Sequence, residues 1–208
     1  LAGFVHLLFL AGFALSMTRE RQELEQRNFA LSDPLTGLLN RRAFLDQAKR
    51  ASRRHWGGRD RVAMLVLDLD HFKSINDRFG HEAGDQVLQY FAEVARDATR
   101  AGDLLYRMGG EEFCFVLPGA TIAEASMVAE RIRTRFAQNG VWRGEQRIQA
   151  TVSIGIAATD QPSSDPELLL AAGDSAVYRA KAAGRNRTIL ADVLSSPRGA
   201  ASSLPVAA

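Results

Sequence analysis

The sequence contains a single cysteine, Cys114, so no disulfide bond can form within the chain. Because Cys114 lies inside an apolar run, we expect it to be a small core residue in a reducing, cytosolic compartment. The sequence also lacks a dense run of Lys or Arg, and its formal net charge is only +2. These features argue against a protein that coats nucleic acid. No internal repeat is present, so a repeat architecture is not expected.

The length and composition allow one ordinary domain with appendages. The chain has 208 residues, of which 46% are hydrophobic and 24% are charged, so a single well-packed core can form. The chain begins with Leu1 rather than Met, which suggests a piece of a longer protein.

The first segment is strongly apolar. Residues 1–17 are followed at once by Arg19 and Arg21. A full membrane span needs about 20 apolar residues, so we interpret residues 1–17 as the end of a transmembrane helix. The basic residues after it would keep the downstream domain in the cytoplasm. The alternative is a soluble helix that packs against a partner domain. Residues 18–32 are charged and Gln-rich and predict a helical stalk, which could form a short parallel coiled coil.

The main domain is expected to begin at a helix cap. Ser32, Asp33 and Pro34 interrupt the helical pattern and predict the cap and first turn of a new helix. The domain then covers residues 33–191. Residues 192–208 are rich in Ser, Pro, Gly and Ala, and we expect them to form a disordered tail.

The elements of this domain predict an α/β (α+β) fold. An apolar run at residues 62–69 predicts a strand buried on both faces. Residues 104–108 and 113–117 flank Gly109-Gly110, which predicts a hairpin. A mostly antiparallel sheet flanked by helices follows, and the ferredoxin-like βαββαβ arrangement is the simplest topology that fits. The other predicted elements are helices at 41–54, 83–100, 123–138 and 167–183, and strands at 147–157 and 188–190.

Two carboxylates, Asp68 and Asp70, close the first predicted strand. Alternate residues of a strand share a face. A carboxylate at the end of a buried strand is costly unless it is paired or bound to a metal. A metal site is therefore one interpretation. The other is that one Asp only caps the helix that begins near His71.

Two further acids, Glu111 and Glu112, directly follow the diglycine turn. If the hairpin lies beside the first strand, one of them would approach Asp68. Two or three carboxylates around one point form a hard-oxygen site that suits Mg²⁺, and Mg²⁺ in turn suits two-metal phosphoryl transfer. The alternative is a solvated turn with surface acids.

The segment after the first strand carries groups that can bind a nucleotide. Asn76 and Asp85 supply an amide and a carboxylate that can read a purine edge, and Lys73 supplies a charge for phosphate. Asp85 could instead interact with the dipole of a helix N-terminus. His81 is expected to have a structural hydrogen-bonding role.

Basic residues also surround the end of the last predicted helix. Lys181 and Arg185 could point to a common triphosphate, and Arg185 could make paired hydrogen bonds to it. The alternative is an ordinary interaction of both cations with the helix dipole.

Taken together, these segments resemble the GGDEF-domain family of diguanylate cyclases. The resemblance covers residues 33 to about 190. Two departures remove no proposed ligand: Met108 stands where an aromatic residue is common, and Ala171-Ala172-Gly173-Asp174 replaces the more usual Arg-Ala-Asp. Five motifs stand in the family's order, at residues 33–42, 68–85, 109–113, 153–156 and 178–187.

The resemblance implies an enzyme that condenses two GTP molecules into cyclic di-GMP and releases two pyrophosphates. Each domain would hold one GTP, and two domains would face each other as a homodimer. Each 3′-hydroxyl would then attack the α-phosphorus of the partner's GTP. Together with the apolar residues 1–17 and the arginines after them, this predicts an enzyme anchored in the bacterial inner membrane with its catalytic domain in the cytoplasm. The charge pattern predicts no nucleic-acid partner.

The resemblance also implies roles for individual residues. Each active site would use two Mg²⁺ (or Mn²⁺) ions. The ligands would be Asp68, Glu111 and the main-chain carbonyl of Leu69. Glu111 would also help to deprotonate the attacking hydroxyl, and Glu112 would be a further acid of the site. The GTP-binding residues would be Lys73, Asn76, Asp85, Lys181 and Arg185.

A last motif concerns regulation. Arg100-Ala101-Gly102-Asp103 resembles the family's Arg-x-x-Asp product-inhibition motif at the usual distance before the diglycine. Arg131 lies where a second arginine usually helps to bind cyclic di-GMP. Without the resemblance, the same pattern is a surface helix end with one ion pair, which contributes little.

Two alternatives to an active enzyme remain open. One is a catalytically silent module that senses cyclic di-GMP or GTP. The other is a dimerisation or signalling relay with a vestigial GTP site. The intact acidic residues favour the enzyme.

Overall fold

The computed structural model describes residues 31–51, 61–159 and 165–192. The predicted transmembrane segment 1–17, nearly all of the predicted stalk and the tail beyond Asp192 lie outside these ranges. Within them, no helix combines the length and apolarity that a membrane crossing requires.

A six-stranded sheet with helices on both faces forms the domain. The elements are β1 Leu39–Asn40, α1 Arg41–Ala51, β2 Val62–Asp70, α2 Phe72–Phe79, α3 His81–Ala98, β3 Leu104–Gly109, β4 Glu112–Pro118, α4 Ile122–Gln138, β5 Val141–Arg143, β6 Gln146–Ile148, β7 Thr151–Thr159, α5 Pro166–Ala182 and β8 Thr188–Leu190. The strand order of the sheet is β1-β3-β4-β2-β7-β8. The outer pairs β1–β3 and β7–β8 are parallel, and the three inner pairs are antiparallel. The inner strands and their crossing helices form the ferredoxin-like βαββαβ core that the sequence predicted.

The central strand β2 is buried on both faces, which explains its continuous apolar run. Leu65 and Leu67 point into a core shared with α3 and α4, whereas Met64 and Val66 point into a second core shared with α1 and α5. Complete burial of each leucine side chain contributes about 1.5–3 kcal/mol. Because β2 lies at the centre of the sheet, its last residues are held rigidly where the site forms.

The predicted helix cap at Ser32 to Pro34 is wrong. Residues 34–36 form a turn instead. The Asp33 carboxylate accepts hydrogen bonds from the main-chain nitrogen and the hydroxyl of Thr36, at 2.9 and 2.6 Å. This local bonding competes with helix formation. Helix α1 begins later, where the Asn40 side chain accepts a hydrogen bond from the nitrogen of Ala43 at 3.0 Å.

The single strand predicted at 147–157 is two strands. The first, β6, pairs with β5 in a separate two-stranded sheet, and the second, β7, lies beside β2 in the main sheet. Gly144, with φ of 61°, provides the turn of the small hairpin. The sequence prediction missed this hairpin because strand β5 has only three residues.

Candidate active site

The diglycine hairpin brings its acids to the end of β2. Strands β2 and β4 are antiparallel, and Asp68 lies opposite Glu112. One position further on, the main-chain nitrogen of Leu69 donates to the carbonyl oxygen of Glu111 at 3.2 Å. Gly109 and Gly110 take φ values of 151° and 52°, which allow the tight turn before the acids. The sequence prediction that one of these acids approaches Asp68 is therefore confirmed for Glu112 by the strand pairing.

Asp68 is held in a crowded, largely buried position. Its side chain is 14% exposed and forms an ion pair with Lys181 at 2.6 Å. Burial raises the pKa of Asp68, and the charges of Glu111 and Glu112 raise it further. The Lys181 ammonium lowers the pKa, but it does not offset these effects. Additional positive charge near Asp68 would therefore stabilise its ionised carboxylate.

The donor chemistry at this point fits a divalent cation. Asp68 Oδ1 is buried and has no hydrogen-bond partner among the described residues, so one lone-pair set is unused. In the described ranges, no three His, Cys, Asp or Glu side chains are gathered closely enough to hold a metal ion unaided. Mg²⁺ usually binds through one or two carboxylates together with substrate phosphates. Asp68 and Glu111, with the carbonyl of Leu69, could supply such an incomplete set.

Helices α2 and α3 bring the purine-reading candidates together. Asn76 Oδ1 is buried without a hydrogen-bond partner among the described residues. It lies directly against the Cα of Gly84, which precedes the exposed Asp85. A buried, unpaired amide oxygen is costly unless a ligand satisfies it. Lys73, in the first turn of α2, is exposed.

If Asn76 reads a guanine base, as the sequence predicts, Gly84→Ala should weaken guanine nucleotide binding by at least about tenfold, because a buried hydrogen bond of about 1–3 kcal/mol is lost. The new Cβ would overlap Asn76 Oδ1 and lie 3.0 Å from its Cγ, so the amide must turn away. Titration with a non-hydrolysable GTP analogue tests this. Asp97→Ala, an exposed substitution near the end of α3, is the control and should leave the affinity unchanged. Unchanged affinity in Gly84→Ala would show that Asn76 does not read the base.

Of the two basic candidates near the end of α5, Lys181 contacts the acidic residues, whereas no contact among the described residues brings the Arg185 side chain to them. Lys181 is bonded to Asp68, so it lies at the centre of the site. Arg185 is half-buried in the loop after the helix, with a left-handed φ of 62°. A cleft of about 370 Å³ opens beside Asp68 between the hairpin and α5. Its charged lining residues are Arg41, Asp68, Glu112, Asp174 and Lys181.

The inhibitory-site candidates lie together at the other end of β3, about 20 Å from the diglycine turn by the rise of a six-residue strand. Arg100 forms an ion pair with Asp103 at 3.3 Å; their side chains are 54% and 3% exposed. Arg100 also donates to the carbonyl of Pro118 at 2.8 Å. The guanidinium of Arg131 donates to the carbonyl of Ala98, with Nε at 3.1 Å. The two arginines thus flank the C-terminal end of α3.

Sequence reasoning missed a link between the start of the domain and the hairpin. Arg107 Nη1 bonds both carboxylate oxygens of Asp33, at 3.0 and 3.2 Å. Its Nε and Nη2 donate to the carbonyl of Gly110 at 3.0 and 2.9 Å. Burial alone would raise the pKa of Asp33, but hydrogen bonds from Thr36 and Arg107 lower it overall. The sequence signal for this link was the position of Asp33 at the start of the first family motif, residues 33–42.

These features define a class of domain: a ferredoxin-like α/β domain with an acidic hairpin at the end of its central strand and an unsatisfied amide nearby. The chain matches the family model described as "Diguanylate cyclase, GGDEF domain" over residues 30–187, and it belongs to that family.

Named relatives agree with this assignment. The chain is 43% identical over 162 residues to the response regulator PleD of Caulobacter vibrioides, covering 77% of this chain and 36% of PleD. It is 42% identical over 164 residues to the diguanylate cyclase DgcP of Pseudomonas aeruginosa, covering 78% and 24% of the two chains. The matched region thus spans about a third or less of these two relatives.

Among solved structures, the chain is similar to the coiled coil and GGDEF domain of DgcB from Caulobacter crescentus, which was crystallised in complex with c-di-GMP. The TM-score is 0.77 at 34% identity, and the match covers 88% of this chain and 97% of the DgcB chain.

Proposed function

We propose that this domain is a diguanylate cyclase that condenses two GTP molecules into cyclic di-GMP and releases two pyrophosphates. The observation that carries the proposal is the placement of Glu111 and Glu112 beside Asp68 by the pairing of β2 with β4. The diguanylate cyclase name of DgcP and the c-di-GMP in the DgcB crystal support the choice of reaction and product.

The acidic residues would bind cations and move a proton. Asp68, Glu111 and the carbonyl of Leu69 would hold two Mg²⁺ or Mn²⁺ ions, whose chemistry is to offset phosphate charge and to polarise the reacting oxygens. Glu111 would also accept the proton of the ribose 3′-hydroxyl as that oxygen attacks phosphorus. Glu112, opposite Asp68, would add negative charge to the same cleft.

The remaining residues would bind and orient GTP. Asn76 and Asp85 would read guanine, because the buried Asn76 oxygen needs a donor and the guanine edge supplies one. The phosphate contacts would be Lys73, Lys181 and Arg185. Lys181 pairs with Asp68 at 2.6 Å, so it can turn to phosphate when a divalent cation takes its place beside the carboxylate.

The reaction would need two copies of the domain, because each GTP supplies both a nucleophile and an electrophile to its partner. A homodimer is therefore part of the proposal. The test is the rate of cyclic di-GMP formation with Mg²⁺ at several protein concentrations. The rate per subunit is expected to rise with concentration and then to level off when dimerisation is complete. No product at any concentration would favour a silent GTP or cyclic di-GMP sensor.

Product inhibition at Arg100, Asp103 and Arg131 is a second part of the proposal. Two guanidinium groups and a carboxylate at one helix end can bind phosphates and guanine edges. Arg100→Ala is expected to weaken cyclic di-GMP inhibition at least about tenfold by removing a charged hydrogen-bond donor. Initial rates with added product measure this. Inhibition equal to wild type would mean that the motif is only a surface ion pair.

The membrane anchor also remains a proposal. It rests on the apolar residues 1–17 and the two arginines that follow them, and it would locate the domain on the cytoplasmic face of the bacterial inner membrane.

A further inference from the structure

Asp70, the last residue of β2, is a buried carboxylate to which the proposed reaction assigns no role. It is 3% exposed. Its Oδ1 accepts a hydrogen bond from the Ser153 hydroxyl at 2.7 Å. Its Oδ2 accepts from the Thr151 hydroxyl at 2.7 Å and from the main-chain nitrogen of Asn186 at 3.0 Å. Three donors therefore converge on one buried charge, which contrasts with the unused Oδ1 of Asp68. This pattern indicates an anchor rather than a metal ligand.

The third donor belongs to the loop that carries Arg185. Arg185 and Asn186 are consecutive non-glycine residues with left-handed φ values of 62° and 43°. Side chains disfavour this region, so the loop needs bonds that hold it there. The bond from Asn186 to Asp70 connects the loop directly to the strand that ends beside the acidic residues. Arg133 supports the other side by donating to the Asn186 side-chain oxygen at 3.0 Å.

We propose that Asp70 is a positioning residue for the triphosphate: it holds the loop at residues 184–187 so that Arg185 meets the phosphate groups. Asp70 itself touches no substrate in this account. The inference rests on the proposed function, since it requires that Arg185 contacts GTP. It assigns the two acids of β2 separate tasks, with Asp68 facing the cation site and Asp70 facing the loop.

Asp70→Asn tests this inference, because an amide has only one acceptor oxygen and its NH₂ group would face groups that donate to Asp70. Affinities of the full chain for a non-hydrolysable GTP analogue and for guanosine are measured by titration. We expect at least about tenfold weaker binding of the analogue, because a charged hydrogen bond is lost, and unchanged binding of guanosine. Equal loss for both ligands would indicate general damage and would overturn the proposal, as would no loss for either.

A double-mutant cycle with Arg185→Ala separates positioning from other roles. If Asp70 acts through Arg185, the double variant binds the analogue no more weakly than Arg185→Ala alone. If the affinity losses of the two single variants multiply in the double variant, the proposal is contradicted. Ser153→Ala is the matched control, because it removes one donor and leaves the bond to Asn186, so its effect should be smaller.

The role of Asp70 and the proposed function can fail independently of each other. If the wild-type chain does not bind the GTP analogue, the proposed function fails. If the wild type binds it and Asp70→Asn binds it equally well, only the role of Asp70 fails. Thermal unfolding shows whether Asp70→Asn is folded. If it is not, Asp70→Ser, which is smaller and uncharged, takes its place with the same expected selectivity.

Discussion

Glu111→Gln is expected to reduce cyclic di-GMP formation by about a thousandfold or more while the domain keeps its fold. The substitution removes the charge proposed to hold a cation and to accept the hydroxyl proton, and each role contributes large factors. The hairpin should survive, because its link to β2 uses the main-chain oxygen of Glu111 and not the side chain. Chromatographic measurement of product from GTP and Mg²⁺ gives the rate, and thermal unfolding checks the fold.

Glu145→Gln is the matched control for Glu111. Glu145 is also a glutamate that directly follows a glycine in a hairpin turn, and it is exposed. It lies in the separate two-stranded sheet, so its substitution should leave the rate unchanged. A Glu111→Gln variant as fast as this control would remove Glu111 from the reaction.

Arg107→Ala is expected to destabilise the domain by about 2–3 kcal/mol and to lower turnover by about tenfold or more. Arg107 grips the Asp33 carboxylate and the Gly110 carbonyl at once, so its loss frees the residue that precedes Glu111. It also leaves the Asp33 carboxylate without its ion-pair partner, although the Asp33 side chain is only 18% exposed. Urea unfolding at neutral pH measures the stability, and the turnover assay measures the activity.

The pH dependence of this loss has a definite sign. The pKa of Asp33 is lowered from 3.8 in the folded protein. Its stabilising contribution is therefore present above pH 3.8 and disappears as the pH falls through the lowered value. The stability difference between wild type and Arg107→Ala should shrink in that acidic range. A constant difference in stability between wild type and Arg107→Ala at all pH values would contradict the role of the ion pair.

Arg107→Lys keeps the charge but not the paired hydrogen bonds, so it should retain part of the stability and little of the turnover.

Much of the fold could be predicted because its signals are local. The apolar run of β2 and the diglycine turn identify the central strand and the hairpin, and their pairing then brings Asp68 to the acids. The predicted cap at Asp33 was wrong because the same residue can bond its own turn or a helix end. Only the structure shows that Thr36 takes up that carboxylate.

The parts of the site that could not be predicted depend on distant contacts. Arg107 and Asp33 are 74 positions apart, and Asp70 and Asn186 are 116 apart. No spacing rule connects such pairs, because their approach depends on the completed sheet. For Asp70, strand alternation indicated that it shares a face with Asp68, but it could not indicate that Thr151, Ser153 and Asn186 occupy its lone pairs.

The central claim is that Asp68 and Glu111 bind a common divalent cation together with the nucleotide phosphates. Its most direct test is anomalous diffraction from crystals of this chain grown with Mn²⁺ and a non-hydrolysable GTP analogue. The account predicts a manganese peak within about 2.0–2.3 Å of a carboxylate oxygen from each residue, the range for hard cations and oxygen ligands. Manganese bound to the phosphates but out of reach of either carboxylate would contradict it.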